Sequence, residues 1–175
     1  MKLTAFTDYS LRVLIYLGAD PGRRATIAEI ASAFDVSEHH LTKVVHFLGK
    51  AGWLANVRGK GGGLALGDRP ESIGVGAVVR QTEGHAVVAE CFGEDGGRCC
   101  IVPVCHLRGV LAEAVEAFYA VLDRYTLADL VRNRRQLATI LFAIGALFLA
   151  LYAFRLLVPA RVRHAGIPAA VPAVR

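Results

Sequence analysis

The sequence predicts a mainly α-helical fold: a winged helix-turn-helix, then a long C-terminal dimerisation helix, then an extra hydrophobic C-terminal helix. The first part is predicted because two capped amphipathic helices flank a tight turn and a glycine-rich basic hairpin follows them. The second is predicted because apolar residues recur at helical spacing after residue 104. The chain of 175 residues divides accordingly into residues 1–69, 70–136, 137–158 and 159–175.

Three helices are predicted in the N-terminal part. The first covers residues 7–18, with Thr7 as its cap. The second starts at Thr26, because Thr26 and Glu29 match the capping box, in which each side chain binds a backbone amide of the other residue. Ser37 is expected to cap the third helix, whose apolar residues recur at helical spacing. These residues are Leu41, Val44, Val45 and Leu48.

A pair of short strands around a basic, glycine-rich loop is predicted over residues 53–66. Arg58 and Lys60 lie in this loop, and the glycines beside them allow the backbone to approach a ligand closely. A basic hairpin directly after the third helix is typical of the wing of a winged helix-turn-helix. Residues 1–69 are therefore predicted to form a DNA-binding domain.

The N-terminal part of the third helix is expected to enter the major groove, and the wing to reach phosphate or the minor groove. The side chains expected to contact DNA are Ser37, His39, His40, Lys43, Arg58 and Lys60. The overall charge of +5 adds little to this interpretation, because residues 132–175 contribute seven arginines and no acidic residue. The alternative is a small helical domain with a solvated basic loop.

All four cysteines lie within residues 91–105, the cysteine segment, at Cys91, Cys99, Cys100 and Cys105. Clustered thiols can hold an iron–sulfur cluster, hold zinc or form disulfides. The sequence starts without a secretory signal, so a reducing compartment is expected and structural disulfides are disfavoured. Adjacent cysteines rarely bind one metal together, because their side chains diverge. Cys91, Cys99 and Cys105 are therefore the expected metal ligands, with Cys100 a spare.

Spacing alone leaves zinc and redox-active cysteines open as alternatives to an iron–sulfur cluster. Zinc sites usually contain two short pairs of ligands, and these cysteines do not form such pairs. Three thiolates leave one iron that needs a ligand from elsewhere, and such an iron is a natural point of chemical attack. The hypothesis requires Cys91, Cys99 and Cys105 to lie close enough to share one centre. An enzyme is not expected, since no catalytic constellation stands out.

Residues 70–136 are predicted to contain a short helix over residues 72–81, the cysteine segment and a long helix over about residues 104–124. The apolar face of the long helix is broader than a small winged domain can cover. Pairing with the same helix of a second chain would bury it and produce a two-fold symmetric homodimer. Such a dimer suits a palindromic operator with half-sites about one helical turn apart.

The C-terminal part contains eighteen residues without a charge, from residue 137 to residue 154. As a helix these residues span ~27 Å, just enough for a bilayer core of ~30 Å. Residues 137–158 are therefore a candidate transmembrane segment that would tether a cytoplasmic DNA-binding protein to the cell membrane. A helix packed within the dimer and an unselected extension are the alternatives. Residues 159–175 are rich in Pro and Ala and are predicted to be disordered.

Three motifs carry a resemblance to a known family. They are Met1-Lys-Leu-Thr-Ala-Phe-Thr-Asp8-Tyr-Ser-Leu-Arg12, Val57-Arg-Gly-Lys-Gly-Gly-Gly63 and Tyr125-Thr-Leu-Ala-Asp-Leu130. With the winged helix, the cysteine segment and the long helix in this order, the chain resembles the iron–sulfur winged-helix regulators of the IscR/NsrR family over roughly residues 1–140. The resemblance is strongest to the branch of nitric-oxide-sensitive repressors.

The resemblance implies that Cys91, Cys99 and Cys105 bind an iron–sulfur cluster, more in keeping with 4Fe–4S than with 2Fe–2S. It implies that the fourth ligand is Asp8 from the other subunit, whereas the IscR branch uses a histidine at the position that Arg108 occupies here. The implied function is a repressor that releases its operator when nitric oxide nitrosylates the cluster. The alternatives are a regulator of cluster assembly or iron homeostasis with the same architecture, and a membrane-tethered redox protein.

Overall fold

Helices account for most of the secondary structure in the computed structural model, which describes residues 2–59, 61–84, 88–93 and 99–142. In chain order the elements are α1 (Ala5–Ala19), α2 (Ile27–Phe34), α3 (Glu38–Lys50), β1 (Leu54–Val57), β2 (Gly63–Leu66), α4 (Val75–Glu83), α5 (His106–Leu122) and α6 (Leu127–Leu130). Single turns of 3-10 helix at Glu90–Phe92 and Val102–Val104 lie between α4 and α5, and residues 134–142 are helical. This order confirms a mainly α fold with a winged helix-turn-helix at its start.

Helix α1 begins two residues before the predicted start, because Thr4 and not Thr7 is its N-cap. Thr4 Oγ1 accepts a hydrogen bond of 3.2 Å from the backbone N–H of Thr7. Thr7 is buried, and its hydroxyl donates to Thr82 Oγ1 on α4 at 2.8 Å. The prediction of Thr7 as the cap is therefore wrong, because α4 provides this hydroxyl with a tertiary partner.

The helix-turn-helix forms as predicted. Glu29 accepts hydrogen bonds from the backbone N–H of Thr26 at 2.7 Å, while the Thr26 hydroxyl accepts from the Glu29 backbone N–H at 3.1 Å, which completes the capping box. Asp35 ends α2 with a left-handed backbone (φ 52°) and starts the turn into α3. Ser37 occupies the N-cap position of α3, but its side chain makes no capping hydrogen bond.

The wing is an antiparallel pair in which Leu54 faces Leu66 and Val57 faces Gly63. The segment before α2 adds to this pair, since Ala25 and Leu64 exchange backbone hydrogen bonds of 3.1 and 2.7 Å. Gly63 makes this possible, because a Cβ at its position would lie 3.0 Å from the Ala25 carbonyl oxygen and its φ is +151°. Both strands of the wing are therefore attached to the helix-turn-helix: β1 follows α3 in the chain, and β2 pairs with the segment before α2.

Helix α1 is the centre of the hydrophobic core, since it packs against α2, α3, α4, α6 and β2. Its buried side chains include Val13, Leu14, Tyr16 and Leu17, and α3 contributes Leu41, Val44, Val45 and Leu48. The four residues of α3 are those that the helical spacing predicts. A second cluster of Val75, Val79 and Tyr119 joins α4 to α5.

An ion pair strengthens the contact between α4 and the C-terminal end of α5. Arg80 Nη2 donates to Asp123 Oδ2 at 2.7 Å, and the same guanidinium lies 4.5 Å from the ring centre of Tyr119. The Arg80 hydrogen bonds hold the pKa of the Asp123 carboxyl below its usual range. Gly76 allows this approach, because a Cβ there would overlap the Asp123 carboxylate.

Both predicted helices of residues 70–136 start later than expected. Backbone hydrogen bonds of 2.9 Å from Val75 N–H to the Tyr125 carbonyl and of 2.8 Å from Leu127 N–H to the Ile73 carbonyl hold the chain extended before α4. Helix α5 starts at His106 because Pro103 lies in a separate 3-10 turn and Cys105 is extended. Helical periodicity does not predict these starting residues, because tertiary hydrogen bonds and a proline-containing turn determine them.

The helical residues 134–142 pack on the N-terminal domain. Leu141 is buried, and the Phe142 ring meets the Tyr16 ring edge-on at 5.3 Å while Arg23 lies 4.4 Å from its centre. Leu137, Leu141 and Phe142, at the start of the predicted hydrophobic helix 137–158, thus contribute to the core, whereas Ile140 is 59% exposed. Residues 143–158 and the predicted disordered tail 159–175 lie outside the described residues. Within the described ranges, no helix is long and apolar enough to span a membrane.

Candidate DNA-binding surface and cysteine segment

The N-terminal half of α3 presents its polar side chains to solvent. Ser37, His39, His40 and Lys43 are all exposed, whereas the apolar face of the same helix is buried against α1 and α2. In a helix-turn-helix, the N-terminal residues of the second helix are the ones that contact base edges. The exposed polar residues of α3 occupy this position. The structure therefore places all four predicted residues on one accessible surface of α3.

Two aromatic residues of α1 support this surface from behind. The Phe6 ring meets the Phe47 ring edge-on at 5.3 Å, and the Tyr9 ring stacks on the His40 imidazole at 6.4 Å between centres. Sequence reasoning did not identify Phe6 and Tyr9 as part of the site. Their spacing of three residues, which places both on one face of α1, is the signal that could have found them.

The wing adds positive charge beside α3. Arg58 is exposed directly after β1, while Lys60 lies outside the described residues. Arg24, which the sequence analysis did not single out, donates from Nη1 to the Gly61 carbonyl oxygen at 2.9 Å. This contact, next to the backbone pairing of Ala25, holds the loop that carries Arg58.

Replacing Arg58 with alanine is expected to weaken DNA binding and to lower the slope of log affinity against log salt by about one, because one phosphate contact is lost. The fold should be unaffected, since Arg58 is exposed. Fluorescence anisotropy of a labelled duplex across a salt series measures the slope. Lys50→Ala, an exposed cation at the far end of α3, is the matched control. Equal slopes for the two variants would contradict the wing contact.

The four cysteines all lie among the described residues and none forms a disulfide. Cys91 lies half-buried in the 3-10 turn Glu90–Phe92, Cys99 and Cys100 are exposed, and Cys105 immediately precedes α5. Unpaired thiols on separate loops are a donor set that fits an iron–sulfur cluster, which proteins hold through cysteine thiolates.

A cavity of about 630 Å³ opens at the N-terminal end of α5. Its walls include Phe92, next to Cys91, and Cys105 itself; Arg108 also lines it and lies 5.7 Å from the Phe92 ring centre. In the described parts of this single chain, however, no three Cys, His, Asp or Glu side chains converge as metal ligands do. The convergence that the cluster hypothesis requires is thus not observed here, and residues 94–98 between Cys91 and Cys99 lie outside the described ranges.

Asp8 lies in the first two turns of α1 and is half-exposed. Its carboxylate forms an ion pair of 2.9 Å with Arg12, one helical turn later, and both side chains remain 40–45% exposed. The Arg12 guanidinium also lies 5.7 Å from the Phe34 ring centre. The Asp8 carboxylate is therefore accessible from outside its own chain, as a ligand for another subunit needs to be.

An apolar stripe on α5 is left uncovered in this single chain. Leu107 is 62% exposed, Val110 60% and Val121 45%, and Val104 just before the helix is 76% exposed. Ala114 and Ala117 continue the stripe between them at helical spacing. A stripe of this kind is what the predicted pairing of two copies of α5 requires.

A family model and two similar proteins agree on one family of transcriptional regulators. The family model described as Rrf2, iron-dependent transcriptional regulator, matches residues 3–133. The chain is 51% identical to an HTH-type transcriptional regulator NsrR of Geobacillus kaustophilus and 49% identical to one of Bacillus subtilis. Each comparison extends over 142 residues, 81% of this chain and 97% of the relative.

Solved structures show the same architecture. The T. potens IscR structure matches with a TM-score of 0.62 and 25% identity, covering 76% of this chain and 88% of that protein. The structure of CymR, described as the global cysteine regulator of B. subtilis, matches with a TM-score of 0.59 and 30% identity, covering 76% and 98%. Both neighbours confirm the mainly α winged-helix fold.

Proposed function

The chain belongs to the Rrf2 family of transcriptional regulators, and we propose that it is a repressor that senses nitric oxide through an iron–sulfur cluster and releases its operator when that cluster is nitrosylated. Its relatives are DNA-binding regulators of NsrR type and not enzymes. The observation that carries the finer proposal is the set of unpaired thiols at Cys91, Cys99 and Cys105 in a chain so similar to these regulators.

We assign Cys91, Cys99 and Cys105 as the cluster ligands, with Asp8 of the other subunit completing a 4Fe–4S cluster. When bound, the cluster supplies iron that nitric oxide can attack. The accessible carboxylate of Asp8 would connect α1 of one subunit to the cysteine segment of the other. Because α1 also supports the recognition helix α3, release of Asp8 would change how the two helix-turn-helix units are held on a palindromic operator.

A homodimer is part of this proposal. Two recognition helices related by two-fold symmetry can occupy successive major grooves, which a single copy cannot do. The exposed stripe of Leu107, Val110 and Val121 on α5 supports pairing through that helix.

The experiment that tests the proposal starts with anaerobic purification of the full chain, visible absorption, and iron and sulfide counts. The operator is recovered by selecting duplexes with a random central sequence, and nitric oxide is then titrated while binding to that duplex is followed. Bound iron, and loss of DNA binding as nitric oxide is added, are the expected results. Colourless protein whose DNA affinity ignores nitric oxide would refute the proposal.

The second candidate is a regulator of cluster assembly or iron homeostasis, which the structural similarity to an IscR supports. Iron starvation, and not nitric oxide, would then change operator binding.

Either function places the protein with DNA in the cytoplasm. Tethering through residues 137–158 stays a prediction from the sequence, and cell fractionation of the full chain tests it.

Replacing Asp8 with alanine is expected to lower the operator affinity of the cluster-loaded protein by at least about fivefold, the lower end of typical coupling between sites. Folding should hardly change, because exposed ion pairs of this kind contribute ~0.3–0.5 kcal/mol. Affinity is measured with the selected duplex before and after nitric oxide. Asp20→Ala, an exposed acidic residue just after α1, is the matched control. Unchanged affinity and an unchanged response to nitric oxide would rule out Asp8 as the connecting ligand.

A further inference from the structure

The start of α1 is hydrogen-bonded to the end of α4, the last α-helix before the cysteine segment. Glu83, the last residue of α4, accepts at Oε1 from the Thr4 backbone N–H at 2.8 Å and from the Thr4 hydroxyl at 3.0 Å. One residue earlier, Thr82 accepts the Thr7 hydroxyl at 2.8 Å and donates to the Val78 carbonyl at 2.9 Å. The chain leaves α4 at Gly84 and reaches Cys91 seven residues later.

The same two turns of α1 support the recognition helix on another face. Phe6 contacts Phe47, and Tyr9 stacks on His40, which is itself exposed to solvent on the DNA-binding side of α3. Residues 4–9 therefore contact both the C-terminal end of α4 and the side of α3 that lies behind the DNA-binding surface. No other described contact joins the end of α4 to the support of α3 so directly.

We propose that Glu83 is a positioning residue that transmits the state of the cysteine segment to the recognition helix within one subunit. This inference rests on the proposed function and adds a route that is separate from the link through Asp8 to the other subunit. Glu83 acts through Thr4, which caps α1 by accepting from the Thr7 backbone N–H at 3.2 Å.

The physical basis is the double role of Thr4. Its extended backbone (φ −66°, ψ 155°) and its hydroxyl define where α1 begins, and Glu83 holds both its N–H and its hydroxyl. When the end of α4 shifts with the cysteine segment, the cap shifts with it. Phe6 and Tyr9 follow in the first two turns of the helix, so their contacts with Phe47 and His40 change.

The test uses the full chain and two readouts. The first is the ratio of operator affinities between cluster-loaded and cluster-free protein, measured with the selected duplex. The second needs no cluster: it is the rate at which N-ethylmaleimide alkylates Cys91 in cluster-free protein, with and without that duplex. Coupling between two binding equilibria is reciprocal, so DNA bound at α3 should shift the equilibrium between states of the cysteine segment. The alkylation rate of Cys91 should follow the population of the state in which its thiol is accessible.

In the parent chain, the duplex is expected to change the alkylation rate by at least about fivefold. Glu83→Ala should bring the ratio of rates with and without the duplex close to one, while the affinity of cluster-free protein for the duplex stays within about twofold. Glu83→Gln keeps an oxygen acceptor for Thr4 and should retain most of the effect. Gln81→Ala, an exposed change on the same helix, is the matched control and should behave as the parent.

Thr82→Val provides an independent test that does not depend on the folding of the Glu83→Ala chain. Thr82→Val removes the partner of the Thr7 hydroxyl while preserving shape, and it should also reduce the rate ratio. The proposal would be overturned if the duplex did not change the alkylation rate of Cys91 in the parent chain. It would also be overturned if Glu83→Ala had the same ratio of rates with and without the duplex as the parent. Failure of the proposed function is seen separately, as iron-free protein after anaerobic purification, and leaves the thiol measurement intact.

Discussion

A chain carrying Cys91→Ser is expected to emerge from anaerobic purification colourless and without iron, and Cys99→Ser and Cys105→Ser are expected to do the same. Even residues that only orient a metal ligand typically contribute 10–100-fold to metal affinity, so loss of a ligand itself should cost more than about 100-fold. The fold should survive, since the three side chains are half-buried or exposed and outside both hydrophobic clusters. Iron and sulfide counts, with visible absorption, measure the effect.

Cys100→Ser is the matched control for this series, because it removes a neighbouring exposed thiol that is not expected to bind the cluster. It should retain iron, absorption and the response to nitric oxide. The opposite pattern, in which Cys100→Ser loses iron and Cys99→Ser keeps it, would exchange the roles of the two adjacent cysteines. Zinc in place of iron in the parent chain would remove the sensor proposal altogether.

Val110→Glu is expected to convert a dimer into a monomer and to lower operator affinity by about 100-fold, the lower end of the gain from linking two binding modules. In a two-fold dimer paired through α5, the substitution places a carboxylate from each copy in an apolar interface, where an unpaired charge is strongly unfavourable. Val110 is 60% exposed in the single chain, so the monomer itself should lose little stability. Analytical ultracentrifugation and operator titrations measure the two effects.

Ala120→Glu introduces the same charge at an exposed position of α5 that lies about 80° around the helix axis from Val110, and it is the control for this variant. It should leave the dimer and its affinity unchanged. A Val110→Glu protein that still sediments as a dimer with parental affinity would show that the exposed stripe is not the interface. A duplex containing one half-site should bind both variants equally, which separates loss of pairing from damage to the helix-turn-helix.

The capping box of α2 was the most predictable part of this fold. Thr26 and Glu29 form their capping box as expected, because both partners lie within four residues and need nothing from the rest of the chain. The choice between Thr4 and Thr7 as the cap of α1 was not predictable in this way. Both are threonines near the start of the helix, and the partner hydroxyl of Thr82, 75 residues away, separates them.

The exposed face of α3 was predictable for a similar reason. The apolar period of α3 determines which of its side chains are buried, so His39, His40 and Lys43 had to lie on the solvent side. The aromatic support behind them was missed, since Phe6 and Tyr9 belong to α1 and reach α3 only through tertiary packing.

The sequence by itself determined the order of elements, the capping box of α2 and the exposed face of α3, because residue type and short-range periodicity encode these properties. Tertiary structure alone decided that Thr4 caps α1, that Glu83 accepts hydrogen bonds from that cap and that Phe142 packs on Tyr16. These contacts join residues distant in sequence, and their free energy depends on packing that no local pattern records.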